Sequence, residues 1–243
     1  MKPDSVVLVT GGSRGIGRAI LDLLIARGCR VAFTWNSNRA RAEEVEKGHS
    51  GRAKAFPLDL CDKARPSELV REVEESFGPI AGLVNNAGTR KDGLLVMMPD
   101  ADWDHVLDVD LSGVFRCCRA VLPGMMRRRS GAIVSVASLS AMHGIAGQTA
   151  YAAAKAGVLG LTRSLAREVG KRGVRVNAVV PGYVATDFVG DLPPEAVKAL
   201  RSTEVLQAGV GPSAVAESVA FLLSDAASAV TGQALVVDAG TSA

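Results

Sequence analysis

Hydrophobic positions along this chain alternate between two periods. Short strand-like runs, most of them with β-branched residues, stand at residues 5–10 (SVVLVT), 30–35 (RVAFTW), 53–58 (AKAFPL), 80–84 (IAGLV), 132–136 (AIVSV), 174–180 (VRVNAVV) and 233–237 (QALVV). Between them lie stretches with apolar residues at helical spacing: RAILDLLIARG ending at Gly28, residues 65–77, residues 102–129, VLGLTRSLAREV, and residues 214–224. Runs that are apolar on both faces predict buried strands of a parallel sheet, and their alternation with helices predicts an α/β chain, a doubly wound parallel sheet flanked by helices on both faces. No repeat, low-complexity tract or linker interrupts residues 1–243, which are therefore read as one domain. Residues 190–211 depart from the alternation, being rich in Pro, Gly and charge. A segment that long is expected to act as a lid over a site, spanning about residues 187–211.

Composition narrows the picture. Hydrophobic residues make up 48% of the chain and aromatics only 4%, so the core is expected to be aliphatic. With 28 basic and 25 acidic side chains the net charge is +3, too mild to imply a nucleic-acid partner, and the run at 127–129 (RRR) reads as a solvated helix end. The four cysteines, Cys29, Cys61, Cys117 and Cys118, form no CxxC pair, and the adjacent two are expected on different helix faces. That pattern speaks against a metal site or a disulfide framework and for a reducing compartment. The apolar run near the N-terminus is too short for a signal peptide or a membrane span, so a cytoplasmic location without a membrane partner is expected.

Candidate chemistry gathers where the predicted strands end. The first strand runs into GGSRGIG and then a helix. Glycines there permit a tight turn and close backbone approach, and a helix N-terminus offers free amides to phosphate, making Gly11, Ser13, Arg14, Gly15, Ile16 and Gly17 candidates for a dinucleotide cofactor. The second strand ends in Asn36, Ser37, Asn38 and Arg39, with no carboxylate until Glu43. An NAD site usually carries a carboxylate there for the ribose hydroxyls. Amides, hydroxyls and guanidinium groups, with Arg14 in reach, suit a 2′-phosphate instead, so NADPH/NADP+ is preferred over NADH; alternatively Arg39 and Arg41 decorate a polar helix start. Asp59, followed by Leu60, stands where an adenine amino group can be met, or else caps the next helix. Asn86, Ala87 and Gly88 follow the fourth strand and leave room for a ribose, while Pro181, Gly182, Val184 and Thr186 follow the sixth, where Thr186 can bond a carboxamide.

The richest stretch is 138–155, SLSAMHGIAGQTAYAAAK. Tyr151 and Lys155 are spaced i, i+4 and leave one helix face a turn apart. Ser138, at the end of the preceding strand, can be folded back against that face. A cation beside a phenol favours phenolate, which makes the three a proton-transfer site.

Taken together, TGGSRGIG, NNAG, Ser138, YAAAK and PGYVAT occur in an order and spacing that resembles the short-chain dehydrogenase/reductase family over essentially the whole chain. Within that family the chain is similar to the bacterial β-ketoacyl-(acyl carrier protein) reductases, through NNAGTRKDGLL, DWDHV and KAGVLGLTRSLAREV. The resemblance implies a Rossmann-type fold of about seven strands, with Tyr151 as general acid, Lys155 on the nicotinamide ribose and lowering the tyrosine pKa, and Ser138 on the substrate carbonyl. It implies reduction of a 3-oxoacyl thioester with NADPH; a free ketone, a sugar or a polyketide intermediate is the alternative substrate, and a non-catalytic NADP-binding protein the alternative class. It implies a homotetramer in which the 102–129 helix and the Tyr151 helix pack across one interface. It also implies that Arg129 and Arg172, with Arg127 and Arg128 adjacent, meet an acidic acyl carrier protein beside the site. One position departs from the family. Where it has an asparagine that holds a water connected to the lysine, this chain has Asp110, in DLSGVF. Activity is expected to persist, with the Asp110 charge pairing with Lys155.

Overall fold

The computed structural model describes residues 1–49, 51–190 and 194–243. Its seven strands are β1 (Val6–Val9), β2 (Arg30–Trp35), β3 (Ala53–Pro57), β4 (Ile80–Asn85), β5 (Gly131–Val136), β6 (Val174–Pro181) and β7 (Ala234–Val237). They form one sheet in the order β3-β2-β1-β4-β5-β6-β7, and every pairing is parallel. The chain thus leaves β1 in one direction across the sheet and resumes at β4 in the other. The crevice outside the carboxyl ends of β1 and β4 is where ligands sit in such sheets.

Both faces are covered, because successive residues of a buried strand point to opposite sides. Val7, Val9, Val31, Phe33, Val134 and Val179 pack on one side with α1 (Gly15–Ala26), α2 (Arg39–Lys47) and α9 (Pro212–Leu223). Val6, Leu8, Ile80, Leu83, Ile133 and Val176 face the other side, against α3 (Arg65–Phe77), α5 (Gly113–Arg128) and α7 (Thr149–Val169). Cys117 and Cys118 are both buried in this second core, where burial pushes their thiols up to about 12.

The segment expected as one helix over 102–129 has three parts. α4 (Asp100–Leu107) runs into a π-helical turn over Asp108–Ser112, and α5 resumes at Gly113. Such a turn inserts one residue into the helical ladder and is found frequently at functional sites; Asp110 lies at its centre. Of the apolar residues at helical spacing here, Val106 and Val114 are buried, whereas Phe115 is 45% exposed with Arg119 over its ring. The stretch before Tyr151 is also divided: α6 (Ser140–His143) is a single turn, and Gly144 and Gly147 then take positive φ before α7 begins. α8 (Pro194–Arg201) is a helix within the segment read as a lid; residues 191–193 of that segment lie outside the described residues. Among the described residues no helix is long and apolar enough to cross a membrane.

Candidate active site

A cleft of about 1120 Å³ opens along the carboxyl ends of the strands. At one end the chain leaves β1 through Gly11 and Gly15, with φ of 70° and 55°, values that favour glycine. The turn is tied to its neighbours on both sides. Gly11 N donates to Thr34 Oγ1 at 3.1 Å, and Asn86 Nδ2 donates to the carbonyls of Thr10 and Gly11 at 3.0 Å each. Thr10 Oγ1 in turn accepts from the backbone amides of Asn86 and Ala87. A Cβ on Gly17 would overlap the Gly11 carbonyl oxygen and Asn86 Nδ2, so only glycine lets α1 start this close to the turn. No side chain caps α1 at Arg14, which leaves its first amides available to an anion.

Ser13, Arg14, Ile16, Asn36, Ser37 and Asn38 line the same end of the cleft. Asn38 Oδ1 also caps α2 by accepting from Arg41 N at 2.9 Å. Arg39 is placed otherwise than expected. It is absent from the cleft lining and bonds Glu43 at 2.7 Å on the outer side of α2, while Arg41 lines the cleft. Residues two apart on a helix point about 200° apart, so only one of the two arginines can face inward. Asp59 and Leu60 line the cleft too. Asp59 accepts from Cys61 N at 2.9 Å, while the cap on α3 comes from Asp62, which accepts from the amides of Ala64 and Arg65.

At the cleft's other end stand Ser138, Tyr151 and Lys155, with Ala87, Gly88, Pro181, Gly182, Val184 and Thr186 between. Thr186 lies against Gly15, its Cβ 3.4 Å from where a Cβ on that glycine would stand. The Ser138 hydroxyl donates to Ser140 Oγ at 3.2 Å and accepts from Ser140 N at 3.2 Å; Ser140 Oγ donates to Gln148 Oε1 at 2.9 Å. Ser140 and Gln148 thereby hold the serine, a support that sequence spacing did not mark. Lys155 Nζ sits 5.5 Å from the Tyr151 ring centre and donates to Val136 O at 3.3 Å.

Asp110 lies behind Lys155. Its Oδ1 accepts from Thr89 N at 2.7 Å, and its Oδ2 is 3.2 Å from Lys155 Nζ. That contact is an ion pair off hydrogen-bond alignment, so Oδ2 has no hydrogen bond. Burial pushes the Asp110 carboxyl above its usual range, against the pull of Lys155. Burial is the largest single influence on Lys155 and acts to lower it, but Asp110 and, to a smaller extent, Tyr151 together hold the ammonium above the usual lysine value. Gly88 closes over the pair: a Cβ there would stand 3.1 Å from Asp110 Oδ2 and 3.4 Å from Lys155 Nζ. Arg116, also buried, donates to Leu60 O and Asp108, tying the π-helical turn to the cleft wall.

Two cleft residues carried no sequence signal. Arg90 donates to Val189 O at 2.7 Å and lies 5.6 Å from the Phe188 ring, and Phe188 packs 6.0 Å from the Tyr151 ring. The basic pair expected beside the site stands elsewhere. Arg129 follows α5 and Arg172 precedes β6, so both lie at the amino ends of β5 and β6, the opposite edge of the sheet from the cleft. Arg129 bonds Lys171 O there at 3.0 Å.

Comparison with known proteins adds to this geometry. A family model described as enoyl-(acyl carrier protein) reductase matches residues 11–242. Among curated relatives, 3-oxoacyl-(acyl-carrier-protein) reductase FabG of Salmonella typhimurium is 40% identical over 235 residues, 97% of this chain and 96% of the relative. The FabG of Staphylococcus aureus strain Mu50 is 41% identical over 244 residues, 99% of each chain. That of Escherichia coli K12 is 41% identical over 236 residues, 97% of this chain and 96% of the relative.

Proposed function

This chain belongs to the short-chain dehydrogenase/reductase family, and on that premise we propose that it reduces a 3-oxoacyl thioester to the 3-hydroxyacyl product with NADPH. One observation carries the reading: Ser138, Tyr151 and Lys155 share a single cleft with an uncapped, glycine-lined helix start. The uncapped amides of α1 and the glycine turn fit a pyrophosphate, and Arg14 with Arg41 fits a 2′-phosphate. When bound, the reduced nicotinamide supplies hydride to the ketone carbon.

The chain's own groups handle the oxygen. Tyr151 donates its phenolic proton as that oxygen gains charge, Ser138 holds it by a hydrogen bond, and Lys155 offers positive charge beside the phenol and a donor to the ribose. For Ser138 to do so its hydroxyl turns from Ser140 to the substrate, and Ser140 N–H continues to hold it. Asp110 keeps Lys155 protonated in a setting where burial disfavours the charge.

The two descriptions among the comparisons name different reactions, reduction of a C=C bond and of a C=O bond. A serine hydroxyl beside the tyrosine favours the carbonyl, whose oxygen accepts both bonds. Presenting a 3-oxoacyl and a 2-enoyl thioester of the same acyl length in parallel tests this. Turnover of the first alone is expected, and turnover of the enoyl thioester alone refutes the assignment.

Residues 187–211 are assigned as the lid over the substrate end. Arg129 and Arg172 are assigned to an acyl carrier protein. Because they stand at the far edge of the sheet from their own cleft, a carrier docked there delivers its thioester to the cleft of another subunit. A homotetramer packing α5 and α7 across an interface supplies that subunit; the exposed Phe115 on α5 and exposed Ala153, Ala156 and Gly160 on α7 support it. Four free thiols suit a reducing compartment, and we assign the chain to the cytoplasm.

A further inference from the structure

The first residues of the assigned lid are tied to both ends of the cleft. At one end Asp187 Oδ2 lies 3.0 Å from Arg41 Nη1, and both side chains stay about half exposed. Arg41 belongs to the first turn of α2, in the corner lined by Arg14, Asn36 and Ser37. A hydrogen bond and the charge of Arg41, helped by Arg14, hold the Asp187 carboxyl below its usual range. A carboxylate from the substrate side of this chain therefore already sits on a guanidinium of the cofactor corner. At the other end Phe188 packs on the catalytic Tyr151, and Arg90, which also lines the cleft, bonds Val189 O.

We propose that Asp187 is a specificity-determining residue, an internal anion that competes with the 2′-phosphate of NADPH for Arg41, so that NADPH and not NADH frees residues 186–189 from the α2 corner. The proposal rests on the NADPH reading above. The chemistry favours exchange, since a phosphate monoester carries more charge than a carboxylate and offers three acceptor oxygens to a guanidinium. The pair it displaces is exposed and thus weak, so the exchange is not blocked. Once the phosphate is seated, Asp187 faces a like charge and is pushed off, and Phe188 moves with it. NADH brings no such charge and leaves the Arg41–Asp187 pair in place.

Binding of NADPH and NADH to wild-type protein, Asp187→Asn and Arg41→Gln, together with amide hydrogen exchange over residues 186–190, tests this. Asp187→Asn is expected to tighten NADPH by roughly two- to fivefold, the range that exposed ion pairs span, and to leave NADH unchanged. In the wild-type protein NADPH is expected to speed exchange over residues 186–190 while NADH does not. Unaltered or weaker NADPH binding by Asp187→Asn, or the same exchange change with both cofactors, overturns the proposal while leaving NADPH preference standing. Equal wild-type affinity for the two cofactors, with Arg41→Gln weakening neither, overturns it together with the NADPH reading.

Discussion

Lys155 Nζ lies 3.2 Å from Asp110 Oδ2, and the two side chains are 4% and 0% exposed. A full ion pair is thus sealed behind the tyrosine, closed on one side by Gly88 and anchored on the other by Thr89 N. An asparagine at this position, as the resemblance implies for the family, would be neutral, whereas Asp110 puts a carboxylate beside Lys155. Asp110, with a smaller share from Tyr151, holds the lysine above its usual value although burial opposes it.

The pH dependence follows from that direction. Stability contributed by charged Lys155 is complete below the unfolded lysine value and is lost as pH rises through the raised folded value. In Asp110→Asn the larger cause of the rise is gone while burial remains, so Lys155 loses its proton at lower pH. The variant is expected to stay active, with the alkaline limb of its kcat/KM profile moved to lower pH. A profile and rate identical to wild type contradict this role.

Removing the carboxylate without a polar replacement strands a buried cation. Asp110→Leu is expected to cost about 3–5 kcal/mol, the usual consequence of halving a buried pair. For a chain of this size that lowers Tm by roughly 6–20 °C. Thermal melts of Asp110→Leu beside Asp110→Asn check it, the asparagine variant losing less.

Gly17→Ala tests the start of α1. The added methyl meets the Gly11 carbonyl and Asn86 Nδ2. Overpacking of this kind costs roughly 1–3 kcal/mol, and the turn that receives the cofactor must shift to relieve it. NADPH binding by titration is expected to weaken at least tenfold while the far-UV spectrum is retained.

The docking proposed for Arg129 and Arg172 is tested by substrate form. The double change Arg129→Ala, Arg172→Ala is expected to raise KM for a carrier-bound substrate, an effect that fades with added salt, and to leave a coenzyme A thioester unaffected. Kinetics with the two substrate forms at low and high salt distinguish docking from a general loss of fold.

Much of the architecture was legible in the sequence, because apolar runs such as those of β1 and β6, buried on both faces, leave little choice of structure. Residues 30–35 and 65–77 were read with the bounds of β2 and α3, and the other strands within a residue or two. What escaped depends on local geometry or on contacts distant in sequence. The π-helical turn at Asp108–Ser112 has no hydrophobic period of its own. The choice between Arg39 and Arg41 depends on helix phase, which Asn38 sets by capping α2. Asp187 reaches Arg41 across 146 residues, and nothing near either residue announces the pair. Arg129 and Arg172 were recognised by pattern, yet only the parallel sheet shows which of its ends they occupy.

Oxidation of NADPH in the presence of acetoacetyl-coenzyme A, run beside NADH and beside Tyr151→Phe, tests the central claim most directly. The account predicts turnover that favours NADPH and falls by roughly 10²–10⁴-fold in the variant, the share a positioned general acid supplies. Tight NADPH binding with no turnover of this or any other 3-oxoacyl thioester, or turnover that survives loss of the phenol, contradicts it.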